Sequence, residues 1–138
     1  MIKNDLHNNL TFERALSPVS VADNTAAVSQ IIDMQGALAL EFVIALGSIA
    51  DADATFTVLV EDGNDSGLSD NAAVADAELL GTEAAASFQF DDDNGIKSIG
   101  YRGNKRYVRM TITPANNASA ALLSAIAVKQ TQIRGVTT

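Results

Sequence analysis

Residues 100–114, GYRGNKRYVRMTITP, gather Arg102, Lys105, Arg106 and Arg109 within eight positions and set Tyr101 and Tyr107 beside them. Cations interleaved with aromatics offer charge, directional donors and large contact area, which is chemistry for binding rather than for breaking bonds. A nucleic acid would meet the cations with phosphates and the rings with bases. An acidic protein surface would meet the same cations with carboxylates. The chain carries a formal net charge of -8, which repels a polyanion. A protein partner is therefore the expectation and direct nucleic-acid contact is not. Pairing with acidic strands of the same chain is the remaining use for these cations.

Other chemistries are thinly provided. DGNDSG places Asp62, Asn64, Ser66 and Gly67 at the first, third, fifth and sixth positions of an EF-hand-like loop, but position twelve is Ala73 and the bidentate glutamate is missing. The same residue types suit any hairpin loop, so a solvated turn is expected and Asp62, Asn64 and Ser66 are only weak cation candidates. DDDNG at 91–95 reads the same way. His7 is the one histidine, there is no cysteine, and no nucleophile pattern lies near it. No glycine-rich loop opens a helix to hold a phosphate. The expectation is a protein that is not an enzyme and that needs no cofactor.

Charge is divided along the chain. Residues 1–93 hold all 17 acids with only Lys3 and Arg14, a net of -15, whereas residues 94–138 hold seven bases and no acid. Such a split can be satisfied within one molecule or between identical copies. At 138 residues and 47% apolar content the chain suits one domain with one core. That core lacks Trp and draws on 23 alanines, so each buried residue removes little area from water and assembly has room to add stability. The longest apolar run, 36–50, is too short for a helical membrane span and carries Glu41, and the polar N-terminus does not read as a secretory signal.

The elements that would position these residues repeat with period two. Leu38, Leu40, Phe42, Ile44 and Leu46 alternate with smaller or charged residues, as do Ala54, Phe56, Val58 and Val60 with threonines, and Val108, Met110 and Ile112 with Tyr107, Arg109 and Thr111. Shorter candidate strands lie at 28–34, 85–90, 96–102 and 122–133. Gly103 and Asn104 suit a tight hairpin joining 96–102 to 106–113, with Pro114 closing the second arm. Residues 69–81, SDNAAVADAELLG, read either as a short capped helix or as an extended loop. Together these elements predict an all-β, mainly antiparallel fold, a single β-sandwich or jelly-roll-like domain over 15–138 with an extended N-terminal arm over 1–14.

The segments SPVSVADNTAAVSQIIDMQG, LEFVIALGSIADADATFTVLVEDG, LSDNAAVADAELLGTEAAASF and IGYRGNKRYVRMTITPANN resemble a family of small virion structural proteins of tailed bacteriophages, over about residues 15–130. The resemblance implies a head decoration or cement protein on the capsid surface, made in the bacterial host cytoplasm, which bridges neighbouring major capsid protein subunits. It implies self-association as well, as a cyclic oligomer and most often a trimer. Tyr101, Arg102, Lys105, Arg106, Tyr107 and Arg109 would contact capsid or a neighbouring copy, and Ile2, Leu6, Leu10 and Phe12 of the arm would reach over an adjacent subunit. A head–tail joining or tail protein forming a ring is the alternative role. A carbohydrate-binding sandwich is disfavoured, because seven aromatics and no Trp make poor sugar platforms.

Overall fold

The computed structural model describes residues 5–131. Eleven strands form two antiparallel sheets: β1 (Leu10–Val21), β2 (Ala27–Val28), β3 (Ile32–Asp33), β4 (Ala37–Ile49), β5 (Thr55–Gly63), β6 (Ala72–Ala73), β7 (Leu79–Leu80), β8 (Phe88–Gln89), β9 (Ile96–Tyr101), β10 (Tyr107–Ala115) and β11 (Ala121–Thr131). One sheet runs β1-β11-β4-β9-β7. The other runs β2-β10-β5-β6, with β3 also on β10 and β8 also on β5. The two enclose one apolar core, so the β-sandwich expected from period two is the fold.

Large and small residues interlock in that core. Phe42, Ile44 and Leu46 on β4 lie beside Ala127, Ala125 and Leu123 on β11, so alanine is used where two inner faces approach closely. Phe56 of β5 stacks on Phe88 of β8 with ring centroids 4.9 Å apart. The alternation of 108, 110 and 112 is buried as expected. Leu38 is exposed instead, because β4 outruns β9: the pairing of those strands ends at Leu40 and Tyr101, and nothing covers the residues before it.

Four expectations are corrected. Residues 10–14 are not arm but the start of β1, paired antiparallel to β11 from Leu10–Gln130 onward. Two register shifts, on either side of Leu16, break the period-two signal there and bury Ala15 and Leu16 side by side. Residues 69–81 are extended for most of their length, broken by one 3-10 turn at Asp76–Glu78. Val74 and Leu79 are buried five apart, which no single helix face supports, and Asp70 accepts from the Asn64 and Asp65 backbone N–H groups instead of capping a helix. An α-helical turn lies further on, α1 (Glu83–Ala86) capped by Thr82, overlapping the stretch 85–90 expected to be strand. Pro114 does not end its strand; it pairs with Phe56 inside β10.

The fourth correction bears on function. β9 and β10 are not a hairpin, since β9 belongs to one sheet and β10 to the other. Neither Gly103 nor Asn104 has the positive φ that a two-residue hairpin turn demands. Residues 102–106 are an arch that carries the chain across the end of the sandwich.

Candidate interaction surface

The arch is built over Tyr101. Period two along β9 turns Ile99 and Tyr101 inward, and the phenol is only 1% exposed. Its hydroxyl donates to Asp62 Oδ2 at 2.7 Å and accepts from the Lys105 backbone N–H at 3.0 Å. Asp62 continues the inward row Phe56, Val58, Val60 on β5, so this bond joins the two sheets through the core. Burial first, and then the hydrogen bond to Asp62, push the Tyr101 phenol well above its ordinary range. Gly103 rests on the ring: a Cβ there would stand 2.5 Å from the hydroxyl oxygen. Further bonds pin the arch, from Arg102 N to Glu78 O at 2.8 Å and from Met34 N to Arg106 O at 2.7 Å.

Four of the described basic residues are already paired. Arg106 donates to both Asp33 oxygens at 2.9 and 3.0 Å and to Gln35, and its guanidinium lies 5.0 Å from the centre of the Tyr107 ring. Half-buried Arg109 donates to Glu61 on β5 at 3.0 Å. Lys129 meets Glu13, and Lys97 meets Asp92. Each of these four pairs joins a base after residue 94 to an acid before it, so four of the seven bases of the C-terminal part are met by acids of the N-terminal part within the fold. The side chains of Arg102 and Lys105 are exposed at the crest of the arch and have no carboxylate within ion-pair distance among the described residues. A groove of about 410 Å³ runs beside them, with Leu38, Met34 and Asn64 in its wall.

The Arg106–Asp33 pair has a measurable signature. The Arg106 hydrogen bond, with help from the Gln35 N–H, holds the Asp33 carboxyl down at about 2, against an ordinary 3.8. A depressed folded-state value stabilises above the unfolded value and is lost as pH falls through the folded one. In Arg106→Gln, the NMR titration midpoint of Asp33 should rise toward 3.8, and any stability difference from the wild type should be present above pH 4 and lost as pH falls through and below about 2.

The sequence-selected residues therefore separate. Arg102, Lys105, Arg106 and Tyr107 share one end of the sandwich, and Tyr101 is the buried foundation beneath them rather than a contact. Arg109 lies on the polar outer face of β10. Leu6 is exposed, Leu10 half-buried and Phe12 60% exposed on the outer face of β1, and Ile2 lies outside the described residues. Asp62 is 7% exposed and committed to Tyr101, which withdraws the first ligand from the cation loop. Continuing the alternation of β5 by one step would have placed Asp62 inside. Among the described residues no group of His, Asp and Glu forms a metal cluster, and no helix is long and apolar enough to cross a membrane.

Fold and surface define a class: an antiparallel β-sandwich that presents a pinned basic arch at one end. The same fold occurs in the PBSX exported protein XepA, matched over 93% of this chain and 39% of that one with a TM-score of 0.60 and 12% identity. It also occurs in the CBM22-1–GH10 modules of the Clostridium thermocellum xylanase 10B complexed with xylohexaose, matched over 94% of this chain and 27% of that one with a TM-score of 0.54 and 10% identity. The chain thus spans well under half of either protein, and at these identities the likeness is one of fold. No protein-family model matches the chain, and no curated protein matches it significantly.

Proposed function

We propose that this chain is a bacteriophage head decoration protein, which binds the outside of the capsid and bridges neighbouring major capsid protein subunits. The observation that carries the reading is the arch: two unpaired cations, Arg102 and Lys105, held on a backbone fixed to both sheets. A surface ordered before contact loses little conformational entropy on binding, and its cations steer it toward acidic partners. Three further features support the reading. Asp33 and Glu61, two acids beside the arch, are engaged with Arg106 and Arg109, the sequence resembles small virion proteins, and the PBSX exported protein XepA has the same fold. The xylanase likeness is not followed to carbohydrate, because Tyr107 is half-buried beside Arg106 and the exposed rings are the isolated Phe12 and Phe90.

Pairing inside the fold narrows the residues to test. Arg102→Glu with Lys105→Glu should cut capsid binding by about tenfold or more, from loss of steering and like-charge repulsion, while thermal stability changes by less than about 0.5 kcal/mol. Arg106→Glu would also break a pair within the chain and is a poorer probe. Normal decoration by the double variant sinks the assignment of the arch. Copy number in purified virions, by quantitative mass spectrometry, tests the role itself. A ratio near one per capsid subunit or per three-subunit junction fits decoration, whereas a single ring of about six to twelve copies gives the protein a neck or tail role.

A further inference from the structure

The two outer faces of the sandwich differ in kind. On the β10–β5 sheet the outward residues are mainly polar, Thr55, Thr57, Glu61, Arg109, Thr111 and Thr113, broken by Leu59 and by Val28 of β2. On the β1–β11–β4–β9–β7 sheet the outward positions carry Phe12, Ile126, Leu122, Val43, Ile96 and Leu80. Five of these six are among the large exposed apolar residues of the chain, Phe12 at 60% and Ile96 at 64%. The ladder's outward positions also hold one acid, Glu41 on β4, and one base, Arg14 on β1.

Those two charges do not meet within one chain. Arg14 pairs in register with Ile126, which pairs with Val43, so Glu41 lies two strands across and two residues along, about 12 Å away at standard sheet spacings. Glu41 also leans away from Arg14 over β9: a Cβ on Gly100 would stand 2.6 Å from its Oε1. It makes no hydrogen bond or ion pair among the described residues. Arg14 has a neutral neighbour in the Gln30 amide.

We infer that this face binds the same face of a second copy of the chain, forming a closed two-fold pair. A two-fold axis in the plane of contact, crossing the midpoint between Arg14 and Glu41, sets each Arg14 over Glu41 of the second copy. It lays β11 across β11, with Ile126 and Val128 on either side of the centre. Such self-complementarity is what an isologous contact requires, and one acid and one base on a face whose other outward residues are uncharged supply it. The face is about 20 Å wide across five strands and about 20 Å long from Leu122 to Val128. A pair therefore covers roughly 800 Å² in projection, and more in accessible area because side chains stand off the sheet, which approaches the roughly 1,200 Å² low end of specific interfaces, so a weak, reversible pair of micromolar or lower affinity is the expectation. A face used this way is consumed by two copies, so it does not build the trimer that the resemblance implies. The inference rests on the chain's own surface and is independent of capsid binding.

Sedimentation velocity on the full chain, from about 1 to 200 µM to bracket that affinity, tests it. A reversible species of twice the 14.4 kDa chain mass is expected. Ile126→Lys should weaken it at least a hundredfold, because each copy then buries an unpaired ammonium. Ile126 is 43% exposed in the single chain, so the variant should keep its melting temperature. Arg14→Glu and Glu41→Arg should each weaken the pair about tenfold, and the two together should restore it. A monomer throughout the range, a trimer, or a dimer indifferent to Ile126→Lys overturns the inference. A double variant no better than the singles overturns the two-fold register.

Discussion

Tyr101→Phe is expected to lower unfolding stability by about 2–3 kcal/mol, because it leaves a buried carboxylate and a backbone N–H without their partner. The loss exceeds that of an ordinary hydrogen bond for a structural reason. Asp62 is almost fully buried, and the phenol hydroxyl is its hydrogen-bond donor among the described side chains. The same oxygen receives the Lys105 N–H, so one deleted atom disturbs both the contact between the sheets and the arch above it. For a domain of this size the change corresponds to a fall in melting temperature of roughly 6–12 °C. Asp62→Asn keeps an acceptor oxygen without a charge to strand, and should cost less than Tyr101→Phe. Combining the two should cost less than the sum, since the phenylalanine no longer strands a carboxylate. Thermal and denaturant unfolding of the single and double variants measures this coupling. A loss below about 0.5 kcal/mol for Tyr101→Phe would show that Asp62 finds another partner, and the account of the arch would fail with it.

The sandwich was legible because its long central strands obey period two without interruption. Phe42 and Ile44 on β4, Phe56 to Val60 on β5 and Val108 to Ile112 on β10 each place large side chains on one face, and each face is buried. β1 was not legible, for two physical reasons. Its register shifts bury the neighbours Ala15 and Leu16 together, and its outward residues include Phe12, so polarity and burial run opposite to the usual rule. The helical reading of 69–81 rested on alanine propensity, and propensity yields when tertiary contacts pull the other way. Here Ala72 and Ala73 pair with β5 beside Val74, whose N–H bonds Val60 O. The true helical turn does its work at the same edge, where Glu83 and Ser87 accept from the Val60 and Val58 N–H groups and close β5 to further strands.

The candidate surface was half legible. A cluster of bases is visible in any sequence, but which bases remain free depends on strands that are distant in the chain. Arg106 finds Asp33, and Arg109 finds Glu61, only because β10 lies between β3 and β5. The aromatics misled in a similar way. Tyr101 and Tyr107 both flank the cations, yet they sit on different sheets and only Tyr107 reaches the surface. The clue that separated them was parity, since Tyr101 shares its face with Ile99. Gly103 was read as a turn former, whereas its value lies in the hydrogen atom that occupies the place of a side chain.

Gly103→Ala is the sharper test of that view. Its φ is not positive, so the backbone itself accepts alanine, and a hairpin-turn role would predict little change. The arch predicts a large one. The added methyl would lie 2.5 Å from the Tyr101 hydroxyl oxygen and 2.6 and 2.7 Å from two ring carbons, far inside van der Waals contact. A flexible side chain would swing aside, but this ring is packed in the core and its oxygen is held by Asp62, so the backbone of 102–106 must lift instead. Overpacking of this kind costs about 1–3 kcal/mol, and lifting the arch also stretches the bond from Lys105 N to the phenol, for a total of about 3 kcal/mol or somewhat more. In the background of Tyr101→Phe the oxygen is gone and part of the clash with it, so the penalty of Gly103→Ala should shrink there. Function should follow structure. Gly103→Ala leaves Arg102 and Lys105 in place but moves the backbone that aims them, so it should weaken capsid binding and stability together, whereas the charge reversals should weaken binding alone. Wild-type stability in Gly103→Ala would mean that the ring yields after all and that the arch does not hold its cations in a fixed position.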